Sequence, residues 1–177
     1  DFMMEKASIM EHALAVATLE VEEERKESNR KRNPSEININ PPPPPWVLFL
    51  DCDVCTLSPW PSLPAAASLG LSPHGICPRD EHLFGRYNGG VVAIRDPAAL
   101  FSWRKHTKAS RFHDQASLED VARDVTMMAS ASSSSSSRVY EFRRCVNYGY
   151  WRLMQQQVPP HHPPCPQAAE EATRTST

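Results

Sequence analysis

Nowhere does the sequence hold the ~18 consecutive apolar residues that a membrane-spanning helix needs, and its first residues lack the charged-then-apolar pattern of a secretory signal. No span is expected within this chain. The first residue is Asp1 rather than Met, so the expectation is an internal piece whose targeting information lies upstream. Charge of one sign is equally scarce: 19 Lys and Arg stand against 21 Asp and Glu, a formal net charge of -2. That balance gives no long-range attraction for nucleic acid or an anionic surface, and nucleic acid is not expected as a partner. Glycine is sparse, 6 residues against 17 prolines, and the prolines cluster, so part of the chain is not core. The cysteines (Cys52, Cys55, Cys77, Cys145 and Cys165) are odd in number and lack the dense, even spacing of a small disulfide scaffold. Cys52 and Cys55 form a C-x-x-C with no second pair, which argues against zinc or redox chemistry there.

What is present has room for one domain. Residues 1–45 read as an amphipathic helix followed by a charged and polyproline linker. In the helix Met3, Ala7, Met10, Leu14, Ala17 and Val21 recur at spacings of four and three, with acids and bases between them. Its far end, Glu22 to Arg32, is almost wholly charged and is expected to project into solvent until Pro34 stops it. Pro41 to Pro45 cannot donate backbone hydrogen bonds and should be extended polyproline II.

Residues 46–157 carry the pattern of an α/β core. Trp46 to Leu50 is a continuous apolar run, as in a strand buried on both faces of a mainly parallel sheet flanked by helices. It ends at Asp51-Cys52-Asp53, where open α/β sheets place ligands outside the carboxyl ends of their strands. Ser58 to Pro78 reads as an irregular connection with one short helix near Ala65 to Leu69. Gly89-Gly90 introduces a second apolar strand, Val91 to Ile94. Asp96 and Pro97 then cap and open a helix. Another helix is expected from Asp114 to Val125, with Ala116, Leu118, Val121, Ala122 and Val125 inward. A Ser-rich insertion at 130–137 has no means of building a core. Arg138 to Val146 reads as one more strand, Tyr148 to Gln156 as a short helix, and residues 158–177 as a disordered tail.

The chemistry-bearing residues begin with Asp51 and Asp53. In strand geometry residues two apart share a side, so both carboxylates could face one hard cation, Mn2+ or Mg2+, or one cation and a ribose. Acids at a strand end also cap the following turn. A haloacid-dehalogenase-like, magnesium-dependent phosphohydrolase places Asp-x-Asp after such a strand too. That family needs a Thr two residues after the second Asp, where Cys55 stands here.

Two further segments favour another family. Asn88-Gly89-Gly90-Val91-Val92-Ala93-Ile94-Arg95 resembles the Asn-x-Gly strand that follows Asp-x-Asp in the nucleotide-diphospho-sugar transferases and related galactosyl- and mannosyltransferases, which are GT-A glycosyltransferases. His113-Asp114-Gln115-Ala116-Ser117-Leu118 is similar to the Asp-Gln segment that opens the next helix in those families. Arg144 to Tyr148 is similar to the strand and Asn-containing turn beyond it. The resemblance covers roughly Trp46 to Tyr148 and implies a partial GT-A, Rossmann-like fold. It further implies a metal-dependent transfer of a hexose or pentose from a nucleotide diphosphate sugar to a hydroxyl acceptor, with retention at the anomeric carbon.

In that likeness Asp53 binds the divalent cation and Asp51 shares it or contacts the ribose. Asn88, Gly89 and Gly90 line the donor sugar, and Asp114 and Gln115 orient donor or acceptor as the catalytic pair. Family habit implies the Golgi lumen. The chain departs from the pattern in having one helix, not a βαβ unit, before the metal-motif strand, so most of the nucleotide pocket is missing and the piece is expected to be weak or inactive alone. His161-His162 lie among prolines without a following glycine and are not expected as ligands. A non-catalytic interaction protein built on the charged helix and the proline run is the remaining alternative.

Overall fold

The computed structural model describes residues 2–31, 43–56, 59–76, 78–131, 138–143 and 146. Its described elements run α1 (Phe2–Arg30), β1 (Val47–Leu50), β2 (Leu69–Pro73), α2 (Pro78–Phe84), β3 (Tyr87–Ile94), α3 (Pro97–Thr107), α4 (Leu118–Ala131) and β4 (Val139–Glu141). The chain is α/β: a small mixed sheet of four described strands, ordered β1-β3-β2-β4, flanked by helices.

The mainly parallel sheet read from the sequence is corrected here. β3 pairs antiparallel with both β1 and β2, and the one parallel pairing is β2 with β4. Three strands do point the same way. The reversed β3 lies between β1 and β2 and takes the hydrogen bonds that would have joined them.

β1 is correspondingly an edge strand among the described residues, not a strand enclosed by neighbours. Its unbroken apolar run still has a cause: Val47 and Phe49 pack against the helix-side core, while Leu48 and Leu50 join Val91, Ala93 and Phe142 on the other face. Apolar surface on both faces removes the alternation that a half-solvated strand would display.

The helix-side core contains Met10 and Leu14 of α1, Leu100 and Trp103 of α3, and Leu118, Val121 and Val125 of α4, packed on Leu69, Leu71, Val92 and Ile94. The expected stripe of α1 is seen where it can be judged. Ala7, Met10 and Leu14 are buried, Ala17 and Val21 half-buried, and Glu22 to Glu24 exposed. The Met3 side chain lies outside what is described. So do Pro41 and Pro42 of the proline run, the serine run 132–137, the short helix expected at Tyr148 to Gln156, the tail and His161-His162.

Two elements were not expected. The stretch read as irregular holds β2, an interior strand, and no helix occurs at Ala65 to Leu69. Gly70 permits it: a Cβ there would meet Ala93 Cβ at 3.1 Å and the Phe142 ring at 3.2 Å. Leu-Gly-Leu-Ser-Pro has no β-branched residue, so its strand state is imposed by pairing and not by propensity. α2 follows it directly. The expected Asp96 cap is present, its Oδ1 accepting from the Ala98 N–H at 2.9 Å, with Pro97 opening α3.

α3 and α4 are held together at Asp124. Its Oδ2 accepts from Ser102 Oγ at 2.7 Å and meets His106 Nε2 at 2.9 Å. The Ser102 hydrogen bond first, and then that of His106, hold the Asp124 carboxyl below the ordinary carboxylate range. A carboxyl lowered on folding stabilises the protein above its unfolded value and loses that contribution as pH falls through the folded value. In thermal melts Asp124→Asn should therefore lower Tm near neutral pH by ~4 °C, the shift that roughly 1 kcal/mol produces in a domain of this size. The gap to the native protein should narrow as pH falls below the ordinary Asp value and close once the folded Asp124 carboxyl is itself protonated.

Candidate functional site

Reversal of β3 puts its first residues beside the last residues of β1 and β2. One end of the sheet therefore collects Asp51 after β1, His74 after β2, and Asn88, Gly89 and Gly90 at the start of β3. At this end the ladder is irregular. Leu71 pairs with Val92, yet the next residue, Ser72, pairs with Asn88, so Gly89, Gly90 and Val91 bulge out of the β2 ladder. They remain attached to β1: Val91 pairs with Leu50, and the Gly90 carbonyl accepts from the Asp51 N–H at 2.9 Å.

Asn88 fixes the bulge from within. Its Oδ1 accepts from the Gly90 N–H at 2.7 Å, and its Nδ2 lies 3.2 Å from His74 Nε2. His74 Nδ1 is 2.8 Å from the Gly85 carbonyl, which can only accept. The ring proton is thus assigned to Nδ1, leaving Nε2 to accept from the Asn88 amide.

The Asp114-Gln115 segment reaches the same place by a different route. It is not a helix start, as the sequence reading had it: residues 113–117 form turns, and α4 begins at Leu118. His113, at φ 46°, supplies the left-handed residue that redirects the chain. The buried Trp103 indole N–H donates to the Asp114 carbonyl at 2.9 Å, and Ser117 Oγ donates to the same oxygen at 2.5 Å. These bonds seat Asp114 beneath the sheet end with 4% of its surface exposed. Gln115 is a strut. Its Oε1 accepts from the Gly89 N–H at 3.2 Å and its Nε2 donates to the Phe84 carbonyl at 2.9 Å.

The residue that joins these pieces comes from α1 and was not singled out in the sequence. Lys6 Nζ lies 3.1 Å from Asp51 Oδ1 and 3.2 Å from Asp114 Oδ2, with its side chain 10% exposed. It also stands over the Phe49 ring, 4.8 Å from the centroid. Asp114 Oδ2 has no aligned hydrogen bond, so the ammonium compensates it by charge and proximity. The legible signal was position: Lys6 sits one helical turn before Met10, on the buried side of the stripe.

Asp53 is placed differently. β1 ends at Leu50, and the Val54 N–H donates to the Asp51 carbonyl at 3.0 Å, closing a turn. The strand alternation that would aim both carboxylates one way does not extend past Leu50. Asp53 is exposed and Asp51 half-buried. No group of three or more His, Cys, Asp or Glu side chains positioned to hold a metal ion occurs among the described residues. Asp53 is open to a hard cation that takes its other oxygens from water or a phosphate. Asp51 does not fit that role as it stands, because its Oδ1 already faces an ammonium. Cys52 and Cys55 are exposed free thiols.

An open cavity of about 280 Å³ adjoins this end of the sheet, with His74, Asp80, Asn88 and Gln115 as polar lining and Ile76, Phe84 and Phe112 as apolar walls. Phe84 and Phe112 meet edge to face at 4.8 Å. Neither aromatic was singled out in the sequence.

No protein-family model, curated protein or solved structure matches the chain. Among the described helices none is long and apolar enough to cross a membrane.

The two adjacent glycines differ in what they permit, and neither has a positive φ. A Cβ on Gly90 would lie 2.8 Å from Asn88 Oδ1 and 3.1 Å from Asp51 Oδ2, whereas one on Gly89 would find its nearest neighbour, Gln115 Cβ, at 3.5 Å. Urea unfolding should accordingly find Gly90→Ala destabilised by about 1–3 kcal/mol, the usual range for overpacking. Gly89→Ala should stay within roughly 0.5 kcal/mol of the native chain.

Proposed function

We propose that this chain is a partial glycosyltransferase core that transfers a sugar from a nucleotide diphosphate donor to a hydroxyl acceptor, on a GT-A-like sheet. The observation that carries the reading is convergence: Asp51, the Asn88-Gly89-Gly90 segment and the Asp114-Gln115 segment, far apart in sequence, meet at one end of the sheet beside an open cavity. Structural roles at three unrelated turns would not require a shared location.

The residues divide the work as follows. Asn88, on the cavity wall, faces the donor sugar, while Gly89 and Gly90, buried behind it, give the strand its bulge and the Gln115 strut holds that bulge in register. Phe84 and Phe112 supply the apolar wall against which a sugar ring's C–H face can rest, with Asn88 and His74 at the polar rim. Asp53, exposed at the turn, is the carboxylate that would hold Mn2+ or Mg2+. Such a cation, when bound, neutralises charge on the departing diphosphate. Lys6 bridges Asp51 and Asp114 from within the fold.

Isothermal titration with UDP, GDP and their sugar derivatives, with and without Mn2+, tests the reading. The expected result is metal-dependent donor binding by the native chain that Asp53→Ala removes. Absence of binding under every condition would mean that this chain does not perform the reaction.

A further inference from the structure

We propose that the Lys6 ammonium is the resident counter-ion of the Asp51–Asp114 carboxylate pair and bars a divalent cation from Asp51. Any cation at the Asp-x-Asp turn is then left to Asp53. The inference rests on geometry and charge, and it stands whether or not the sugar-donor reading does.

Three observations carry it. Lys6 Nζ contacts Asp51 Oδ1 at 3.1 Å and Asp114 Oδ2 at 3.2 Å, so one ammonium is shared by two carboxylates from different turns. The same ammonium rests on the Phe49 ring, and all but a tenth of the Lys6 side chain is enclosed. A hard cation on Asp51 Oδ1 would need that oxygen at 2.0–2.6 Å, where the ammonium already stands, and one on Oδ2 would share a single carboxylate with that positive charge. To make room, Lys6 would have to leave both acids while buried, and a buried charge stripped of its partners is heavily disfavoured.

Nor is the helix that carries Lys6 loosely seated. Met10 and Leu14 of α1 are buried in the core, and Arg104 of α3 bonds to Ser8 and Glu11 on its flank. The ammonium is held in place by the same packing that attaches α1 to the sheet. Gly90 packs against the other side of the same carboxylate, since a Cβ there would lie 3.1 Å from Asp51 Oδ2. Lys6 thus acts as a positioning residue: it spaces the two carboxylates and fixes the charge of the sheet end without an exchangeable ion.

The test is a Mn2+ titration of the whole chain without nucleotide, followed by the electron paramagnetic resonance signal of free Mn2+. Lys6→Met, with its fold checked by circular dichroism, releases two carboxylates and should raise Mn2+ affinity by about tenfold or more, since affinity for a hard cation grows with ligand charge. Lys6→Arg keeps the positive charge and should bind Mn2+ like the native chain. Adding Asp51→Asn to Lys6→Met should remove the gain. A folded Lys6→Met that binds no more tightly, or an equal gain in Lys6→Arg, overturns the proposal.

If Lys6→Met does not fold, the native chain decides. Nitrogen-15-edited NMR of the lysine ammonium groups should contain one slowly exchanging resonance, missing in Lys6→Arg and unmoved by millimolar Mg2+. Loss or displacement of that resonance by Mg2+ overturns the proposal. No sugar nucleotide enters these measurements, so their failure is separable from failure of the donor reading.

Discussion

A single ammonium group ties the helical layer to the working end of the sheet. Lys6 of α1 reaches Asp51, which follows β1, and Asp114, in the turns before α4, and so joins three parts of the chain that lie far apart in sequence. The enclosed Asp114 carboxylate and the buried ammonium offset one another's charge, and neither would be well accommodated there alone. The rest of the arrangement follows from that pairing. Gly90 has to lack a side chain because Asp51 and Asn88 close in on it, and Trp103 and Ser117 hold the Asp114 backbone so that its side chain meets the ammonium.

Sheet topology makes the meeting possible. A reversed β3 between β1 and β2 sets its first residues against their last ones, so bulge and turn residues from three strands gather at one end. The bulge at Gly89-Gly90-Val91 then aims the backbone away from β2, and Asn88 and Gln115 clamp it from either side. Beyond this clamp the β3 ladder is regular and its side chains are core. One strand therefore has an irregular first half, from which Asn88 lines the cavity, and a regular, fully buried second half.

The sequence was legible where one signal dominated. The α1 stripe from Ala7 to Val21, the Asp96-Pro97 start of α3 and the inward α4 face Leu118, Val121, Ala122 and Val125 behave as their pattern predicts, because a periodic buried face or a cap dominates there. Ala116 is buried in the turns before α4. The convergence of Asp51, Asn88 to Gly90 and Asp114-Gln115 was legible only as an order of motifs. Strand direction was not, since an apolar run reads alike in parallel and antiparallel neighbours and β3 gives no local sign of its reversal. β2 escaped because Leu-Gly-Leu-Ser-Pro has turn-like composition, and its strand state comes from β3 and β4 on either side. Lys6 escaped because a lysine in a helix is normally a solvated residue, and its partners lie 45 and 108 positions away.

The claim that one ammonium couples helix and sheet end is tested most directly by a double-mutant cycle on unfolding free energy between Lys6→Met and Asp114→Asn. The account predicts a coupling of about 1.5 kcal/mol or more, as for charged partners within one buried network. It also predicts that the double variant is more stable than Lys6→Met alone, because no unpaired carboxylate then remains enclosed. Additive losses, with coupling below ~0.5 kcal/mol, would contradict it and leave Lys6 a residue that is buried without holding the site together.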